Sequence, residues 1–174
     1  MRTDARRNVL IVGVVMVLLT LSGSSANVLA DDYTCTGSVG AIAVDNLRVP
    51  QDATCTLNGT IVDGNIFVEA NATLHADAVR VDGDIQAENA ALVNVYSAFV
   101  GGNIQVFQSG GADVTSVEID GDLQFESNDM NLRAADNTIG GNLQAFQNVG
   151  GLSIIRNTIG GNLQCQANVP PPTG

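Results

Sequence analysis

Lysine and tryptophan are absent from this 174-residue chain, histidine occurs once, and aromatic residues make up only 4% of it. Each shortage excludes a class of chemistry. A zinc site needs three or four nitrogen, sulfur or carboxylate ligands, and no cysteine or second histidine shares the neighbourhood of His75. A serine or cysteine nucleophile needs a base held by a third group, and nothing in the sequence marks such a set. Beyond Ala30, four arginines face 17 acidic residues, a formal charge of −13. Such a surface repels nucleic acid and anionic lipid headgroups. The apolar content is nevertheless too high and too regularly spaced for a disordered acidic chain.

The N-terminal stretch from Met1 to Ala30 stands apart. Arg2, Arg6 and Arg7 precede an apolar run, Val9 to Leu21, followed by small and polar residues to Ala30. This is the pattern of a secretory signal peptide, with cleavage after Ala30 or Ala26. The alternative is an uncleaved anchor, for which the run is short. Arg6-Arg7 loosely fits a twin-arginine signal. No cysteine follows the run, so nothing suggests a lipoprotein.

What the chain does have is a phrase written six times, from Val62-Asp63-Gly64-Asn65-Ile66 to Ile159-Gly160-Gly161-Asn162-Leu163. Its Asn or Asp positions, 65, 84, 103, 122, 142 and 162, recur at intervals of 19, 19, 19, 20 and 20. One further coil is readable upstream, at Asn46-Leu47-Arg48-Val49. A fixed period of this length without helical patterning predicts a solenoid whose unit is one coil of strands.

Stacked on the Asx position, the repeats form columns. Ile66, Ile85, Ile104, Leu123, Leu143 and Leu163 precede a column of Phe67, Gln86, Gln105, Gln124, Gln144 and Gln164, and then one running from Val68 to Cys165. Apolar, polar, apolar is a strand with one buried face. A second strand is predicted over 72–76, 91–95 and 151–155, and a third at 79–81 and 117–119. The expectation is an all-β, single-domain parallel β-helix with three short strands per coil. A right-handed form follows from the preference of parallel crossovers. The boundaries are an N-terminal cap over 31–45, the β-helix over 46–168 and a proline-rich tail over 169–174.

The Gly-Asx corners at Gly64-Asn65, Gly83-Asp84, Gly102-Asn103, Gly121-Asp122, Gly141-Asn142 and Gly161-Asn162 are read as structural. Glycine there allows φ > 0 or close approach of the neighbouring coil. Asn and Asp also tolerate the left-handed region. Stacked side-chain amides, the glutamines included, link coils as in cross-β ladders.

Cys35 and Cys55 stand one full coil apart. Stacked coils rise by ~4.8 Å, within disulfide reach, so a bridge is expected, with two buried thiols as the alternative. Cys165 falls in an inward column and has no evident partner. At the far end, Pro170, Pro171 and Pro172 lack N–H groups and are expected to blunt the last coil. That favours a monomer or small oligomer over a filament.

The segment Ile159 to Cys165, continuing through Asn168, Pro170, Pro172, Thr173 and Gly174, resembles a signature near the C-terminus of small, exported, uncharacterised bacterial proteins. The Cys55 to Thr60 stretch and the repeated Gly-Asx phrase resemble them too. The resemblance implies export and no established activity. In that pattern the chain runs on past Pro-Thr-Gly to another cysteine, a natural partner for Cys165. Coils of this size are more distantly similar to those of bactofilins, polymer-forming cytoplasmic β-helices, from which only the fold carries over.

Three ligand readings compete on the columns. Asp82, Asp84, Asp120 and Asp122, with Asp63, are the calcium candidates, set against a solvated acidic face because calcium wants six to eight oxygens and Asn103 interrupts the stack. Phe67, Phe99, Phe107 and Phe146 are predicted to point outward, but they fall in different columns or are separated by Glu126, and Tyr33 and Tyr96 stand alone. A polysaccharide-active enzyme would need a cleft, and coils of constant length leave no insertion to build one. Arg48, Arg80, Arg133 and Arg156 are scattered. The sequence therefore favours a non-enzymatic exported structural or interaction module without a cofactor. Its partner is an unidentified protein or cell-envelope component, and no membrane contact remains after signal cleavage. The alternative is a cell-wall polysaccharide-active enzyme or calcium-assisted carbohydrate binder.

Overall fold

The computed structural model describes residues 32–174. The signal-peptide reading and its cleavage points lie outside the described residues. Those residues form a β-solenoid of three parallel sheets, with one strand given to each sheet per coil.

Sheet A holds eight strands: β1 (Tyr33–Thr34), β4 (Leu47–Val49), β7 (Ile66–Val68), β10 (Ile85–Glu88), β13 (Ile104–Phe107), β16 (Leu123–Glu126), β19 (Leu143–Phe146) and β22 (Leu163–Gln166). Sheet B holds β2 (Ser38–Val39), β5 (Thr54–Asn58), β8 (Thr73–Asp77), β11 (Leu92–Tyr96), β14 (Gly111–Thr115), β17 (Leu132–Ala135) and β20 (Leu152–Ile155). Sheet C is made of short strands, each a residue pair: β3 (Ala43–Val44), β6 (Ile61–Val62), β9 (Arg80–Val81), β12 (Phe99–Val100), β15 (Glu118–Ile119), β18 (Thr138–Ile139) and β21 (Thr158–Ile159).

Alternation builds the core. Ile85, Ile104 and Leu123 are paired in register and fully buried, and Val93 of sheet B and Val81 and Val100 of sheet C are fully buried from the other faces. The intervening Gln86, Gln105 and Gln124 stand on the outside of sheet A, half-buried by their neighbours.

The repeat begins earlier than its spacing indicates. The segment read as a cap supplies β1, β2 and β3, which pair with the second coil in all three sheets. Tyr33 pairs with Leu47, well short of a full period further on, so this coil escapes a search for the regular spacing. The Cys35–Cys55 disulfide joins the first two coils, with a Cα–Cα distance of 5.5 Å. At the other end the tail is not excluded from the ladder. Thr173 donates its N–H to Leu152 O at 2.9 Å and its carbonyl accepts from Ile154 N–H at 2.8 Å, adding a bridge to the edge of β20. The prolines carry the chain to this bridge without donating to it.

The Gly-Asx glycines work by close approach and not by a left-handed backbone. None of the six has positive φ. A Cβ on any of them would collide with the Oδ1 of the Asx residue one coil earlier and with a backbone carbonyl. That Oδ1 accepts the N–H of the next Asx, in an unbroken ladder from Asn46 through Asn65, Asp84, Asn103, Asp122 and Asn142 to Asn162, at 2.6–2.9 Å. Positive φ falls instead at the other two corners, on Asn71, Asn89, Gln108, Ser127 and Gln147 after sheet A, and on Ala78, Ser97, Ser116 and Asp136 after sheet B.

Two further ladders run through those corners. Asn128 and Asn148 each accept the backbone N–H of the preceding coil and donate Nδ2 to a buried carbonyl, Val106 O and Phe125 O respectively. Asn137 does the same with Val117 N–H and Val114 O. These asparagines are at most 1% exposed. No buried side-chain N or O lacks a partner among the described residues.

Candidate functional site

The outer face of sheet A carries a long regular array of polar groups. Gln105 donates Nε2 to Gln124 Oε1 at 3.0 Å, Gln124 to Gln144 at 2.8 Å, and Gln144 to Gln164 at 3.3 Å. Parallel pairing forces this, because Gln105, Gln124, Gln144 and Gln164 are direct partners in the register. At the N-terminal end the same column holds Phe67 and Arg48, whose guanidinium lies 5.4 Å from the ring centroid. Arg48 also binds Glu69 at 2.8 Å and Asp32 at 3.1 Å. Glu69 takes a second bond from the Gln51 N–H. The Arg48 hydrogen bond and then the Gln51 N–H hold the Glu69 carboxyl below its ordinary range.

Beside the glutamines runs a column of Glu88, Phe107, Glu126, Phe146 and Gln166, paired rung by rung. Both phenylalanines are half-buried and both glutamates exposed. Phe107 divides two shallow grooves on this face. One, of about 560 Å³, is lined by Phe67, Glu69, Gln86, Glu88, Gln105 and Phe107 among others. The other, of about 210 Å³, lies between Glu88, Phe107, Gln108, Glu126 and Ser127. Phe107 and Phe146 thus share one column two rungs apart, and the intervening Glu126, which in the sequence argues against an aromatic strip, leaves both rings on the same face. Phe99 is on sheet C, under Arg80 at 4.6 Å.

The calcium candidates do not converge. Oδ1 of Asp84 and of Asp122 each accepts two bonds, from the backbone and side chain of Asn103 and of Asn142. Asp82 pairs with Arg80 at 2.7 Å. Asp120 is exposed. Among the described residues no three His, Cys, Asp or Glu side chains gather in a group able to hold a metal.

Sheet B gathers a second polar column, His75, Asn94, Asp113 and Arg133, one residue per coil. His75 Nδ1 lies 3.2 Å from Asn94 Nδ2. Arg133 is 3.4 Å from Asp113 and also donates to Thr115, which itself donates to Asp113. Burial and then the Asp113 charge raise the Tyr96 phenol above its usual range. The adjoining groove of about 390 Å³ is lined by Leu92, Tyr96, Met130 and Arg133 among others. Asp113 is occupied as the counter-ion of Arg133, so the column consists of two separate pairs, His75 with Asn94 and Asp113 with Arg133.

Cys165 departs from the expectation of burial. It pairs with Ala145 in an inward column, yet it is exposed, because β22 is the outermost rung of sheet A among the described residues. Partial desolvation raises its thiol above the usual range.

Compared with protein-family models, with curated proteins and with solved structures, the chain matches none of them. The functional reading therefore rests on the geometry.

Proposed function

We propose that this chain is a non-enzymatic, exported interaction module that acts at the bacterial cell surface or outside the cell, with the outer face of sheet A as its contact surface. The observation that carries this reading is the glutamine ladder, a row of side chains already fixed by one another before any partner arrives. A flat, preorganised array suits adhesion to an extended surface, because little side-chain entropy remains to be lost on contact. The Cys35–Cys55 disulfide supports an oxidising compartment. Coils of nearly constant length offer flat faces and not a walled cleft, which supports binding without bond cleavage. A monomer or small oligomer belongs to the same reading; its support is the bridge of Thr173 to the edge of sheet B, which among the described residues leaves the edges of sheets A and C at the C-terminal end uncovered.

Incubation of the disulfide-bonded protein with isolated cell envelopes tests the reading. The expected result is retention on the envelope without release of new reducing ends or unsaturated sugar products. Gln124→Lys on sheet A should abolish retention and Thr138→Lys on sheet C should not. Sustained product release would establish the enzyme reading in its place.

A further inference from the structure

We infer that the outer face of sheet A binds a linear, uncharged, β-linked glycan lying along the solenoid axis, with Phe107 and Phe146 as its two stacking platforms. The inference rests on the reading of sheet A as the contact face and names the class of ligand.

Hydrogen-bonding capacity comes first. A glutamine amide has two N–H donors and two acceptor lone pairs. Gln124 accepts one bond from Gln105 and gives one to Gln144, and Gln144 repeats the pattern with Gln124 and Gln164. Each amide keeps one N–H and one lone pair for solvent. The face therefore offers one donor and one acceptor per rung, every ~4.8 Å, on side chains whose rotamers are already locked. Sugar hydroxyls both donate and accept, and one rung is close to the advance of one ring in an extended β-linked chain. A peptide strand is out of step, because its same-side residues recur every ~6.8 Å.

The aromatics fit the same repeat. Phe107 and Phe146 are separated by the single residue Glu126 in their column, hence by two rungs or ~10 Å. Successive rings of an extended β-linked chain turn over, so every second ring offers the same face to one side. Ring C–H groups carry partial positive charge and stack on the negative face of an aromatic ring. Between the platforms, Glu126 is exposed and has no cationic partner among the described residues, which leaves its oxygens free to accept from a pair of hydroxyls.

Charge narrows the class. With Glu88 and Glu126 on the face and −13 over the chain beyond Ala30, a uronate or phosphate polymer is repelled. An uncharged glycan is not.

The test is calorimetric titration of the disulfide-bonded protein with chitohexaose, cellohexaose and the β-linked hexamannuronate, with the matching disaccharides as short probes. Saturable binding of at least one neutral hexamer is expected, with none of hexamannuronate. The disaccharides, too short to reach both phenylalanines, should bind far more weakly. Phe107→Ala and Phe146→Ala should each weaken hexamer binding by about tenfold, as for an anchoring aromatic. Phe99→Ala on sheet C should leave it unchanged, and unaltered melting curves confirm that the variants fold. Absence of saturable hexamer binding overturns the inference. So does binding that Phe107→Ala and Phe99→Ala affect equally, or preference for the acidic hexamer. If envelope retention persists in the Phe107→Ala, Phe146→Ala double variant, the glycan assignment fails while the contact-module reading stands. If reducing ends are released, the reading beneath it fails.

Discussion

The backbone N–H of Asn103 donates to Oδ1 of Asp84 at 2.7 Å, and the Asn103 side-chain amide reaches the same oxygen at 3.2 Å. The carboxylate passes under Gly102 to do so. A Cβ at Gly102 would overlap that oxygen and the Gly83 carbonyl, forcing two coils apart. Gly102→Ala should therefore destabilise by about 1–3 kcal/mol or more, the range of overpacking. Gly37→Ala meets nothing within 4 Å and should stay within about 0.5 kcal/mol of the parent. Urea melts of the two variants check the contrast, and equal effects would refute the close-approach account of the corner.

Ile104 is fully buried between Ile85 and Leu123. Ile104→Asp places a carboxylate in that column and should remove several kcal/mol or hold the group protonated. Gln105→Asp removes the donor to Gln124 and puts its charge on the outer, solvent-facing side, a loss of about 1 kcal/mol. Chemical denaturation at neutral pH distinguishes them.

The Cys35–Cys55 bridge closes a loop one coil long, for which loop entropy gives about 3 kcal/mol of stabilisation. The Cys35→Ser, Cys55→Ser double variant should lose an amount of that order. The loss should concentrate in the first two coils, measured as earlier hydrogen exchange at Leu47 and Leu57 than at Leu123.

Acid should act through two exposed ion pairs. Arg156 binds both carboxylate oxygens of Asp136 at 2.6 and 2.7 Å and lowers its pKa, as Arg48 does for Glu69. A carboxyl whose pKa is lowered on folding stabilises the protein above its unfolded pKa and loses that effect as pH falls through its folded one. The melting temperature of Arg48→Gln, Arg156→Gln should thus lie slightly below the parent at pH ~6, and the gap should close toward pH ~2. Because the pairs are exposed, added salt should shrink the gap as well. A gap that widens on acidification would contradict the sign.

The period, the three strands per coil, the inward column of Ile85, Ile104 and Leu123, and the disulfide were legible because each is a one-dimensional property, a spacing or an alternation. The coil at Tyr33 to Val44 was not, since its short first turn breaks the period that reveals the others. The φ angles at the Gly-Asx corner were also beyond reach: the same glycine is demanded by a left-handed backbone and by a crowded one. Asn128, Asn148 and Asn168 do recur once per coil, but spacing alone does not tell a buried asparagine ladder from an exposed turn. On the candidate face, the glutamine column and its amide-to-amide bonding follow from the register of the repeats. The two grooves beside Phe107 were not legible, because they depend on the depth of neighbouring side chains in three dimensions and not on spacing.

Every strand pairing joins neighbouring coils, and the Asx ladder hands each N–H to the coil before it. Excision of residues 85–103 would set Ile104 directly after Asp84, with every inward and outward position still in phase. Length in this protein is consequently an integer that gene duplication or loss can change one rung at a time. Each added rung would lengthen the surface offered to a partner by one more copy of the same contact, while leaving the existing rungs and their chemistry untouched.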